Sequence, residues 1–128
     1  MDPYATHGAF SWNELMTIDP AAAVEFYSAL FGWSAHDMPS PEGTYNIMKI
    51  GEEPVGGIMN IPAMAEGAPP SWGSYMTVDD IDVTVAKATE LGATVLLEPQ
   101  DVPTVGRLSV IRDPQGAVFH VISYAADE

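Results

Sequence analysis

The sequence predicts an α+β fold: two tandem βαβββ modules whose curved sheets flank a cleft, with the helices outside. Three observations predict it. The chain matches itself at an offset of sixty, each half runs through the same order of elements, and 128 residues suit one domain with a real core. Trp12 lies over Trp72, Met16 over Met76, Thr17 over Thr77, Asp19 over Asp79 and Gly32 over Gly92. At the same spacing Pro54 lies over Pro114 and Gly56 over Gly116. Two copies of that length fit a duplicated module within one domain better than a solenoid. The first module is placed at about 10–61, a linker at 62–71 and the second module at about 72–124.

Each element has a local reason. FSWNELMTI (10–18) mixes aromatic and β-branched residues with polar ones, as strands do. DPAAAVEFYSALFG (19–32) is a helix with Asp19 as N-cap, Pro20 in the first turn, where its missing N–H costs nothing, and Gly32 as the C′ residue. A short strand near 33–38 follows, then TYNIMKI (44–50) and PVGGIMNI (54–61), joined by a hairpin turn at Gly-Glu-Glu. The second copy gives GSYMTV (73–78), a helix in DDIDVTVAKATELG (79–92) on the stripe Ile81, Val85, Ala88 and Leu91, and strands at 94–98, 106–111 and 117–123. RDPQG (112–116) is the turn before the last strand. EPQDVPTVG (98–106) is expected as a long loop, PAMAEGAPPS (62–71) as a linker with a lid as the alternative, and MDPYATHG as a loosely ordered tail.

Composition narrows the function classes. Eighteen acidic against four basic residues give a formal net charge of −14, and the four cations form no cluster. A nucleic-acid backbone or an anionic membrane would be repelled, so neither is expected as a partner. The absence of cysteine removes disulfides, thiolate metal sites and a cysteine nucleophile. No apolar stretch reaches membrane-spanning length and no signal-peptide pattern opens the chain, so a cytoplasmic protein is expected. PVGG lacks the spacing and lysine of a phosphate loop, and Ser71, Ser74 and Ser109 lack a nucleophile-elbow context. His7 and His36 are expected at the surface, and Arg107 is either an anion contact or a solvated strand end.

The paired modules resemble the vicinal oxygen chelate superfamily, the glyoxalase, bleomycin-resistance and extradiol-dioxygenase group. The phrases TIDPAAAVEFYSALFGW (17–33), PVGGIMN (54–60), WGSYMTVDDID (72–82) and RDPQGAVFH (112–120) carry the resemblance, which covers about residues 10–124 and is closest to glyoxalase-like proteins of the actinobacterial type. It implies protein ligands on the first and last strands of each module, usually His, Glu or Gln. Carried over at the repeat spacing, those positions fall on Asn13, Asn60, Gly73 and His120. Glycine has no donor and an amide is a weak one, so no catalytic metal and no cofactor is expected. Glu14 neighbours Asn13, but strand alternation turns it to the other face unless a bulge intervenes.

Alternation also predicts a lining. Asn13, Leu15 and Thr17 share one face of the first strand, Tyr75 and Thr77 one face of its mate, and Ile58, Asn60, His120 and Ile122 the same side of the last strands. That mixed set is the usual character of a small-molecule pocket, and His120, Asn60, Asn13, Tyr75, Leu15 and Thr17 are the candidate ligand-binding residues. His120 keeps three readings: a satisfied interior histidine, a hydrogen-bonding group in a cavity, or a general base with no evident orienting acid. The expected function is small-molecule binding without a catalytic metal. The alternatives are a metal-dependent lyase, isomerase or dioxygenase using His120, and a structural module with a filled cavity. The resemblance further implies a homodimer.

Overall fold

The computed structural model describes residues 1–40, 43–62 and 67–125. The α+β class and the two βαβββ modules are present as the sequence predicts. Contacts divide the chain into two compact units, Trp12–Gly73 and the first eleven residues together with those from Ser74 onward.

In the first unit β1 (Phe10–Thr17) leads to α1 (Pro20–Phe31), then β2 (Ser34–Ser40), β3 (Gly43–Ile50) and β4 (Glu53–Asn60). The strand order is β2-β3-β4-β1, with β1 parallel to β4 and the other pairs antiparallel. Asp19 caps α1 as expected, its carboxylate accepting from the Ala22 N–H at 3.1 Å. Gly32 ends the helix in the left-handed conformation, φ 76°, and its N–H reaches the Ser28 carbonyl. Leu15, Met48 and Ile58 form the core beneath α1, packed with Ala23, Val24 and Tyr27. Burying an aliphatic side chain of this size contributes about 1.5–3 kcal/mol.

β5 (Ser71–Thr77) enters the second unit at Ser74 and leads to α2 (Ile81–Glu90), then β6 (Thr94–Val102), β7 (Gly106–Arg112) and β8 (Val118–Tyr124), in the order β5-β8-β7-β6. Asp80, not Asp79, caps α2, accepting from the Val83 N–H at 3.1 Å. Val78, Ile81, Val85, Ile111 and Val121 make the core on the helix side. Asp113 closes the β7–β8 turn, accepting from the Gln115 and Ala117 N–H groups at 2.8 and 3.0 Å; those bonds hold its carboxyl below the usual carboxylate range.

Three expectations change. The 98–106 loop is mostly strand: β6 runs to Val102 and pairs Gln100 with Leu108, its register shifting between Leu97 and Gln100. Pro99 is tolerated there because β6 is an outer strand and the shift absorbs its missing N–H. The N-terminal segment is not loose. Thr77 exchanges backbone hydrogen bonds with Gly8 and Ala9, its hydroxyl donates to the Pro3 carbonyl, and the Tyr4 ring meets Tyr124 edge-on at 5.1 Å. His36 is exposed but sits within β2, opposite Ile47. Of the expected linker or lid at 62–71, residues 63–66 lie outside the described residues.

Candidate functional site

Which face of each sheet a residue occupies is settled by its helix. In the first unit Leu15 and Ile58 are partners across β1 and β4, and both pack under α1. Thr17 and Asn60 are partners two residues on, so Asn13, Leu15, Thr17 and Asn60 belong to the helix side of that sheet. In the second unit Met76 pairs with Val121 on the helix side, while Tyr75 pairs with His120 on the helix-free side. The expected lining is therefore corrected: it follows the helix-free face in the second unit and the helix face in the first. Asn13 is exposed at the surface, and Leu15 is core.

The cause is a slip in the repeat. The capping residues Asp19 and Asp80 are sixty-one positions apart, not sixty, and one residue inverts a strand. With the helix starts aligned, Glu14 matches Tyr75. Across the sheets, Glu14 faces Gly57 and Tyr75 faces His120, so the match of His120 is Gly57 rather than Asn60. The signal was legible: the apolar stripe of α2 begins directly after the second of two adjacent aspartates, which is where an N-cap belongs.

On the helix-free face of the first unit stand three residues that the sequence reading passed over or turned away. Glu14 is buried, 5% exposed. Tyr45 lays its ring and hydroxyl over Gly57, where any Cβ would overlap it, and the Trp12 indole N–H donates to that hydroxyl at 2.9 Å. Gly57 is thus required by the close approach of a ring.

On the helix-free face of the second unit the Tyr75 and His120 rings stack, with centroids 4.3 Å apart and planes 18° from parallel. His120 is 5% exposed. Burial holds its imidazole below the ordinary histidine value, and a hydrogen bond to the Ser74 backbone pushes the other way. Its Nδ1 has no partner, the one such buried side-chain atom among the described residues.

Other candidates are occupied. Arg107 grips both carboxylate oxygens of Asp82, at 3.2 and 3.0 Å, and reaches Asp101 at 3.1 Å, so it is a paired strand end. Ser109 is buried and donates to the Leu97 carbonyl at 2.7 Å. A cleft of about 660 Å³ opens in the second unit between the N-terminal segment and the ends of β5 and β8, lined by Tyr4, Thr77, Val105 and Tyr124 among others. It does not include Tyr75 or His120, and two of its hydroxyls are engaged: Thr77 with Pro3, Tyr124 with Ser11 at 2.7 Å. Among the described residues no three His, Asp or Glu side chains converge, so the residues present do not fit a three-ligand divalent site.

A family model described as a glyoxalase-like domain matches residues 14–122. CFP32 of Mycobacterium tuberculosis is 43% identical over 122 residues, which is 94% of this chain and 46% of that protein. The anthracycline biosynthesis protein DnrV of Streptomyces peucetius is 36% identical over 127 residues, 89% of this chain and 46% of that protein. The chain spans about half the length of the curated relatives it matches. Among solved structures, a methylmalonyl-CoA epimerase of Streptomyces coelicolor bound to 2-nitronate-propionyl-CoA has a TM-score of 0.70 at 16% identity, covering 94% of this chain and 100% of that chain. The methylmalonyl-CoA epimerase of Mycobacterium tuberculosis has a TM-score of 0.65 at 16% identity, covering 95% and 93%. At that identity the likeness concerns the fold alone. No helix among the described residues is long and apolar enough to cross a membrane.

Proposed function

Because the chain belongs to the glyoxalase-like domain family, we propose that it binds a small organic molecule without a catalytic metal, and that it assembles as a homodimer. The unpartnered Nδ1 of His120 carries the binding half. A neutral imidazole that donates through one nitrogen offers the other as an acceptor. With the Ser74 backbone holding one side of the ring, Nδ1 is a buried acceptor awaiting a donor. Leaving such an atom unsatisfied costs roughly 1–3 kcal/mol, which a ligand hydroxyl or N–H would recover.

Tyr75 supports the same reading. Its ring covers one face of the imidazole and fixes its plane, so the acceptor direction is set before a ligand arrives. Of the residues first singled out, the proposal keeps His120 and Tyr75. Asn13, Leu15, Thr17 and Asn60 share the α1 side of their sheet, where Leu15 is packed.

The test is a thermal-shift and calorimetric screen against small alcohols, phenols, amides and acyl thioesters, with wild type beside His120→Phe. A wild-type ligand whose affinity drops about tenfold or more in the variant is expected, since a lost hydrogen bond at a buried site is worth about that much. Equal affinity in both would refute the role of His120. Stoichiometric Zn, Fe, Ni or Mn in protein dialysed without chelator would refute the metal-free reading and favour the metal-dependent enzyme.

A further inference from the structure

The two helices are repeat mates, yet their surfaces differ. α2 buries Ile81 and Val85 and turns Asp82, Lys87 and Glu90 to solvent. α1 carries one charged residue, Glu25, and none of its residues is fully buried. Phe26, Leu30 and Phe31 on it are 60%, 58% and 58% exposed, and Trp72 beside it is 41% exposed. Tyr27 knits the patch together: its ring lies 6.0 Å from Trp33 and 5.4 Å from Trp72, and its hydroxyl accepts from the Trp72 indole N–H at 3.1 Å. An exposed patch of large apolar and aromatic side chains marks an interaction surface.

We propose that a second copy of this chain covers that patch, so that the outer face of α1 with Phe26, Leu30, Phe31 and Trp72 is the homodimer interface. Charge selects the surface. Two chains of net charge −14 repel, and they approach at less cost over α1, whose single charged residue is Glu25, than over α2, which turns Asp82 and Glu90 to solvent. Length supports the occupant. The curated relatives hold about one further chain-length of sequence beyond the matched part, room for a second unit of the same size. Aromatic residues, tryptophan above all, are the usual anchors of such contacts, and a twofold axis lets one patch meet its own copy. This rests on the homodimer half of the proposed function and not on ligand binding.

Sedimentation equilibrium over about 1–100 µM, the range of modest interfaces, tests it. Wild type is expected to be a dimer that tightens as salt rises, because screening relieves the repulsion between two acidic chains. Phe26→Glu and Leu30→Glu are expected to weaken association about thirtyfold or more, the scale of losing an interface anchor, with circular dichroism unchanged. Should either fail to fold, Leu30→Ser, which adds no charge, decides the matter by the same measurement. A wild type that stays monomeric throughout refutes both the surface and the homodimer. A dimer that persists in the folded variants refutes the surface alone.

Discussion

Asp19 and Asp80 perform the same task at the starts of α1 and α2, each carboxylate accepting from the N–H three residues on at 3.1 Å. They are the true repeat mates, and Asp79 is only the neighbour of one of them. Asp79 meets the N-terminal segment instead: its own N–H donates to His7 Nδ1 at 3.0 Å, and its side chain is largely exposed. Asp80→Ala is expected to cost about 1 kcal/mol of stability, the ordinary value of a lost N-cap. Asp79→Ala is expected to stay within about 0.5 kcal/mol. Urea denaturation of the two variants ranks them; the reverse order would restore the offset of sixty.

Leu15 gives the matching test on the sheet. As part of the α1 core, Leu15→Ala is expected to lose roughly 2–5 kcal/mol through lost burial and a residual cavity. A residue lining an open pocket would cost far less. An unchanged denaturation midpoint would return Leu15 to the cavity.

Gly57 and Tyr45 form a coupled pair. Gly57→Ala forces the Tyr45 ring off the strand and strains its bond to Trp12, a change expected to cost about 1–3 kcal/mol. In Tyr45→Ala the space is already empty, so the same glycine substitution is expected to cost little more. A double-mutant cycle in urea reads the coupling, and simple additivity would mean that the ring yields freely.

Much of the fold was legible because it is written in local chemistry. Asp19, Pro20 and Gly32 bracket α1 within a residue, and Gly116 and Asp113 mark the last turn. What local chemistry does not carry is phase. Strand faces were inherited from the repeat, and a one-residue slip between Asp79 and Asp80 inverted the first sheet while leaving the second right. That is why Tyr75 and His120 share the helix-free face expected of them, while Leu15 lies on the helix side. β6 ran past Pro99 because an outer strand forgives a missing donor, which cannot be known before strand order is. The N-terminal segment docks through backbone bonds to Thr77, which leave no trace in side-chain pattern.

His120 yields a pH prediction whose sign follows from its burial. The folded imidazole binds its proton less readily than a free histidine does, desolvation being the main cause. In the unfolded chain it titrates near the ordinary value of about 6.5. Above that value neither state is protonated and stability does not depend on this group. As pH falls below it, the unfolded state takes up a proton that the folded state resists, so stability declines until the folded pKa is passed. Wild type is therefore expected to lose stability as pH falls through about 6.5, and His120→Phe to lose less over the same fall. Urea midpoints at matched ionic strength measure both slopes. Any ligand that donates to Nδ1 should weaken once pH falls below the lowered value of the folded imidazole, because a protonated nitrogen can no longer accept. Parallel slopes for the two proteins would mean that the imidazole is solvated, and the unpaired acceptor would lose its place in the binding site.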